Sequence, residues 1–354
     1  MNMALPDTNG VWELGISAFL HRLAHSMLSN QPKPYLCAMD ALAQTSLSQT
    51  IRTLAASLGF DAVGFASATR LDGEASHLRA WLDAGHHAGM AWMEGHFDKR
   101  VDPTLLVEGA KSVVVVLLSY KPAEVQPADA PQFAKYAYGD DYHEVIKAKL
   151  WELLAQIKAI VPEADGRPFV DSAPVLERAW AERAGLGWIG KSALLLNREL
   201  GSLTFIGTLM LNLELDYGTP VRPSCGTCTR CIDACPTGAI VAPKVVDARR
   251  CISYQTIENR GEIPADIQRL VGNRVFGCDA CLDACPWNAK VIPNNHPELA
   301  PRKAILTYTA AQWQAVDEAQ FAAIFRRSAV KRAKLSGFRR NLEVVVGNAE
   351  GNDS

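Results

Sequence analysis

Residues 225–236 read CGTCTRCIDACP, and residues 278–286 read CDACLDACP. The first stretch spaces Cys225, Cys228, Cys231 and Cys235 as C-x2-C-x2-C-x3-C and places Pro236 directly after the last thiol. The second carries Cys278, Cys281 and Cys285 with Pro286 behind them, one cysteine short of the same pattern, and Cys251 between the stretches supplies an eighth thiol. Runs of this spacing ligate 4Fe–4S cubes: a short loop wraps three thiolates around one cube, while the fourth is carried onto the following helix and reaches the other. The expected ligand sets are therefore crosswise, Cys225, Cys228, Cys231 and Cys285 for one cluster and Cys235, Cys251, Cys278 and Cys281 for the other. Two zinc sites would also take four thiolates each, but the Cys-Pro endings and the x2-x2-x3 spacing are far more specific than bare CxxC pairs.

The ninth cysteine, Cys37, is read as an ordinary thiol. A disulfide framework fits poorly, because such frameworks staple small secreted domains that lack a core, and a chain of 354 residues with 48% hydrophobic content can build one. No basic stretch followed by an apolar run opens the chain. The longest apolar run, Val113 to Leu118, is far short of the roughly 20 residues of a membrane span. A soluble cytoplasmic protein with no membrane partner is the expectation. The net charge of −2 excludes a globally basic nucleic-acid coat protein, though not a local basic patch.

Outward from the cysteines, the texture changes near Pro220. Residues 1–45 read as an uncertain N-terminal extension. Residues 46–220 alternate helical and strand patterns and predict an α/β or α+β domain. Leu47, Ile51, Leu54 and Leu58 make one helical face, residues 61–66 and 203–211 read as strands, and Ser112–Ser119 (SVVVVLLS) as a strand buried on both faces. Helices are expected at 74–84, 142–161 and 175–184. Residues 221–295 form a ferredoxin-like two-cluster module, and 296–354 a helical, basic C-terminal segment.

Residues 185–192, GLGWIGKS, fit both G-x-G-x-x-G and the phosphate-loop pattern, which require a strand before and a helix after. The preceding residues read as a helix, so a glycine-rich cap and turn is favoured over a nucleotide site. Asp171 is a helix-capping or catalytic acid, Asp140 or Asp141 caps the helix at 142, and His86 and His87 read as surface residues. The D-x-H-x-x-G pattern of a histidine-ligated corrinoid is absent. Phe325 to Arg340 carries seven basic residues and no acid. With Phe325 and Phe338 interleaved, it reads as a solvated helix face or an RNA-phosphate contact through Arg326, Arg327, Lys331 and Arg332.

From about Leu47 to Asn348 the chain resembles the epoxyqueuosine reductases. The resemblance rests on DAVGFA (61–66), DKRVDP (98–103), YGDDYH (138–143), VDSAPVLERAWAERAGLGWIGK (170–191), both cysteine runs, GNRVFGCDACLDACPWN (272–288) and RRNLEVVVGN (339–348). It implies an α/β cobalamin domain joined to a ferredoxin-like module, two 4Fe–4S clusters, and reduction of epoxyqueuosine to queuosine at the wobble position of tRNA. It further implies Asp171 as proton donor, with Arg100, Ala134, Asp171, Leu176, Lys191 and Leu195 as cobalamin contacts and Ser253 and Asp279 as further cofactor neighbours. Desolvation by a buried corrin would keep the Asp171 carboxyl protonated. An external low-potential electron donor and a monomer complete the expectation. The alternatives are another corrinoid and iron–sulfur reductase, of the reductive-dehalogenase type, or a P-loop-gated electron-transfer protein.

Overall fold

The computed structural model describes residues 46–350, and every contact given below lies within Thr50–Glu350, one compact unit. The N-terminal extension and Cys37 lie outside the described residues. The chain opens with α1 (Leu47–Ser57), β1 (Ala62–Ser67), α2 (Asp72–Asp83), the short α3 (Phe97–Val101) and β2 (Ser112–Ser119). There follow β3 (Gln132–Phe133), α4 (Tyr142–Ile160), β4 (Gly166–Phe169), α5 (Glu177–Arg183), the hairpin β5 (Trp188–Ile189) and β6 (Leu195–Leu196), and β7 (Thr204–Leu211). Four strands pair in the order β1-β2-β7-β4, each pairing antiparallel. The domain is thus α+β.

All eight residues of β2 are buried, as its unbroken apolar run requires. Successive side chains point to opposite faces. Val113, Val115 and Leu117 enter a core with Leu78 and Leu82 of α2 and Trp180 of α5. On the other face Val116 meets Gly207 of β7 beneath α4. A Cβ on Gly207 would stand 2.6 Å from Ile146 Cγ2 and 3.0 Å from Leu150 Cδ1, so a residue without a side chain lets α4 lie close to the sheet.

The second half contains α6 (Arg230–Asp233), the hairpin β8 (Ile240–Ala242) and β9 (Val245–Val246), α7 (Ile252–Ile257), α8 (Ala265–Val271), β10 (Arg274–Phe276), α9 (Ala280–Asp283) and α10 (Pro286–Ala289). It ends in α11 (Lys303–Thr307), α12 (Ala310–Gln314), α13 (Glu318–Ile324) and α14 (Lys334–Glu350). Its core is aromatic: Phe133, Phe276, Trp313, Phe321, Phe325 and Phe338 form one buried cluster. Phe325 and Phe338 are 0% and 1% exposed. They do not interleave with the basic residues on the surface, because α13 and α14 turn these rings inward. Buried Asn341 of α14 donates to the carbonyls of Thr256 (2.8 Å) and Val275 (2.9 Å), and Arg340 reaches the carbonyls of Gln255 and Asn259. Arg340 and Asn341 of the C-terminal segment therefore clamp the cysteine region.

His86 and His87 are half-buried rather than on the surface. His86 Nδ1 lies 3.6 Å from Asp247 and His87 Nε2 3.0 Å from Glu94. No helix among the described residues is long and apolar enough to cross a membrane. Gly207→Ala should destabilise the protein by about 1–3 kcal/mol through overpacking, read as a lower urea midpoint with an unchanged denaturant slope.

Candidate functional site

Each cysteine run folds into the same local unit. A loop leads into a four-residue helix (α6 or α9) that carries one cysteine, Cys231 or Cys281, and the last cysteine stands just beyond it, before proline. Electrostatic neighbours sort the thiols into two sets. Cys231 is flanked by Cys225 and Cys285, and Cys285 by Cys225 and Cys228. Cys281 is flanked by Cys278, Cys251 and Cys235. The first quartet lines a cavity of about 90 Å³ that Lys191 and Trp287 also border, and Trp188 Nε1 donates to Cys225 Sγ at 3.5 Å. In the second, the Ala239 N–H donates to Cys235 Sγ at 3.2 Å. Burial pushes the Cys278 thiol up to about 11 and raises Cys281 further, with neighbouring thiolates adding to the effect. Four thiols crowded this way ionise together only around a positive core, so this donor set suits iron. Among the described residues no three His, Cys, Asp or Glu side chains are grouped so as to hold a single metal ion.

A second polar centre forms where the start of α4 meets the loop between β4 and α5. Asp141 caps α4, accepting from the His143 N–H at 3.0 Å, and its Oδ1 lies 2.7 Å from His143 Nδ1. Tyr142 stacks on Phe205 with ring centroids 4.3 Å apart, which aims its hydroxyl at Asp171 Oδ2, 2.5 Å away. Asp171 has φ +45°, a left-handed conformation uncommon outside glycine that aspartate tolerates better than most residues. Glu177 holds it there, its Oε1 accepting from the Asp171 N–H at 2.8 Å. Burial and the adjacent Asp171 raise the Glu177 carboxyl to about 7. Burial also raises the Tyr142 and Tyr136 hydroxyls. His143 is raised by Asp141 and Asp171 despite its own burial, which acts the other way. The Asp171 side chain itself is 66% exposed. The desolvation expected at this carboxyl has to come from whatever covers it.

The remaining expected residues divide by place. Arg100 of α3 is buried, donates through Nη2 to the Trp92 carbonyl at 2.9 Å, and lies beside Glu177. Its Nε is buried without a partner. Leu176 precedes Glu177 and packs against the first core, and Leu195 is buried in β6. Ala134, Ser253 and Asp279 lie by the second quartet. The Ala134 N–H donates to the Phe276 carbonyl, Ser253 hydrogen-bonds Cys251, and buried Asp279 accepts from the Lys135 N–H at 2.8 Å. Tyr136 links the two centres: its ring meets Tyr142 edge-on with centroids 6.1 Å apart, and it lies 3.7 Å from where a Cβ on Gly277, next to Cys278, would stand. GLGWIGKS follows helix α5, contains strand β5 and leads into β6, so neither nucleotide motif has its structural context. Gly185 ends α5 at φ +76°, where a Cβ would stand 2.8 Å from the Thr219 carbonyl oxygen.

All four basic candidates, Arg326, Arg327, Lys331 and Arg332, are exposed. Arg327 pairs with Glu144 at 2.9 Å and Arg332 with Glu258 at 2.8 Å. Sequence reasoning missed Glu177, Tyr142 and Glu258. Glu177 stands six positions after Asp171, and Tyr142 lies between the two residues that were weighed, Asp141 and His143.

A family model described as "Epoxyqueuosine reductase QueG, DUF1730" matches residues 100–172, and one described as "4Fe-4S double cluster binding domain" matches residues 224–288. The epoxyqueuosine reductase of Leadbetterella byssophila is 48% identical over 298 residues, 84% of this chain and 98% of that protein. The chain belongs to the epoxyqueuosine reductase family. The Escherichia coli epoxyqueuosine reductase is 40% identical over 88% of this chain and 83% of its own length. Among solved structures, an epoxyqueuosine reductase with an epoxyqueuosine-modified tRNA-Tyr stem loop matches with TM-score 0.79 and 31% identity, covering 85% of this chain and 81% of that one. The double-cluster model spans all eight cysteines of the two quartets.

In an epoxyqueuosine reductase with these quartets, Cys285→Ser should disturb the same paramagnetic cluster signal as Cys228→Ser, although the two lie in different runs, and Cys281→Ser should disturb the other. Electron paramagnetic resonance of the reduced protein reads the difference. Glu177 gives a pH prediction. Its proton affinity is raised above the ordinary carboxyl value of 4.5, so the stabilisation it contributes is full below that pH and is lost as pH rises through about 7. The urea-stability advantage of wild type over Glu177→Gln should shrink across that window. A constant difference would refute the retained proton.

Proposed function

We propose that this protein reduces the epoxide of epoxyqueuosine at the wobble position of tRNA to queuosine, with Asp171 as general acid. The observation that carries the reading is Asp171, whose exposed carboxyl accepts from the Tyr142 hydroxyl while its backbone N–H donates to Glu177, with Tyr136 packed between Tyr142 and the second thiol quartet. Epoxide to alkene consumes two electrons and two protons and releases water. The proton bound for the departing oxygen comes from the Asp171 carboxyl, and Tyr142 and His143 stand within reach of the same oxygen, Oδ2, at 2.5 and 3.9 Å. Glu177 keeps the loop in its left-handed turn.

The ligands are Cys225, Cys228, Cys231 and Cys285 for one 4Fe–4S cluster and Cys235, Cys251, Cys278 and Cys281 for the other. A bound corrinoid would supply low-potential reducing chemistry at the epoxide carbon. Arg100, Leu176, Lys191 and Leu195, with Ala134, Ser253 and Asp279 toward the second quartet, are the residues offered to it. The unpartnered buried Arg100 Nε supports this, since a corrinoid's side-chain amides carry the carbonyl acceptors it lacks. Arg326 and Lys331 are the phosphate-facing cations, at a segment tied to the start of α4 by Arg327–Glu144. The protein acts as a cytoplasmic monomer and takes electrons from an external low-potential donor.

Asp171→Asn should keep both clusters and lose about 10²-fold or more in turnover on epoxyqueuosine-containing tRNA with a chemical reductant, the range of a lost general acid. Turnover within a few-fold of wild type would remove Asp171 from the chemistry.

A further inference from the structure

An aromatic–guanidinium stack stands exposed where Trp92 meets Arg332. Trp92, in the single 3-10 turn Ala91–Met93, keeps 48% of its surface in solvent. The guanidinium of Arg332 lies 5.3 Å from its ring centroid. That guanidinium is fixed by a two-point contact with Glu258, Nε to Oε1 at 2.9 Å and Nη2 to Oε2 at 2.8 Å. Trp92 is fixed from behind by the Arg100 hydrogen bond to its carbonyl. Both halves connect to the reaction centre. Arg332 lies in the field of Asp171, and Arg100 lies beside Glu177, which holds the Asp171 backbone.

The fold gains little from this arrangement, since exposed ion pairs and exposed cation–π contacts contribute weakly. Arg332 also differs from Arg326 and Lys331. Its charge is already matched by Glu258, so it releases few counterions on meeting a phosphate, and what it presents is a plane. Unpaired RNA bases are held by stacking on aromatic rings and on arginine planes. We propose that the Trp92–Arg332 stack receives an unpaired base of the tRNA anticodon loop, next to the nucleotide delivered to Asp171. The proposal rests on the function proposed above and adds a stacking platform, distinct from the phosphate contacts of the basic segment.

The test is fluorescence anisotropy of the cluster-loaded protein with a labelled epoxyqueuosine-containing anticodon stem loop, across a salt series. Trp92→Ala should weaken binding by roughly 5- to 100-fold, the range for one lost base–aromatic stack, with the slope of log affinity against log salt unchanged. Trp92→Phe should restore most of it. Arg332→Lys, which keeps the charge and loses the plane, should also weaken binding at constant slope. Affinity of Trp92→Ala within twofold of wild type, a Phe variant as weak as the Ala variant, or a changed slope in Trp92→Ala would each overturn the platform. Undetectable binding by wild type would instead overturn the tRNA reading along with it, so the two failures are distinguishable.

Discussion

Burying eight thiols in two compact sets is the constraint around which the molecule is organised. Packed together they resist ionisation, burial and neighbouring thiolates raising Cys278 and Cys281, and a bound metal core reverses that preference. A run of three-residue spacings wraps at most three corners of a cube. Each set must therefore be completed from elsewhere, Cys285 for one and both Cys235 and Cys251 for the other. Segments that carry those residues have to stay together. Asn288, just past Cys285, shows how: it is buried, accepts from the Ser202 N–H at 2.7 Å, and so fastens the cluster module to the end of β7.

The Asp171 centre works by opposite means. The Asp171 carboxyl faces outward, and its orientation comes from neighbours that are themselves anchored. Tyr142 is stacked on Phe205, His143 is paired with the α4 cap, and Glu177 is bonded to the strained backbone. Proton-bearing groups thus line the inner side of an exposed acid, with Tyr136 linking them to the second quartet. Such an arrangement leaves one face open for a large substrate while keeping the geometry of the donor.

What the sequence made legible was what depends on local spacing. The grouping of the thiols, the buried strand β2, the Asp141 cap and the helices α1, α2 and α4 all follow from periods of two to four residues. The antiparallel order of the sheet was not legible, because an apolar strand covered by helices on both faces reads alike in either direction. Glu177 escaped because its role depends on a left-handed turn at Asp171 that brings residues six apart into contact. Phe325 and Phe338 were misplaced because only tertiary packing decides which face of a basic helix turns inward. Arg327 and Arg332 read as free cations because their carboxylates, Glu144 and Glu258, lie 183 and 74 positions away.

Asn341 has a consequence for the order of assembly. Its amide satisfies the carbonyls of Thr256 and Val275, 85 and 66 positions earlier, in the stretches that follow Cys251 and precede Cys278. The walls of the second thiol set are therefore closed by a helix synthesised well after its last cysteine. A nascent chain can present those four sulfurs to iron long before it can shield them from water, so the time between translation of Cys281 and docking of α14 is when that cluster is most open to loss or oxidation.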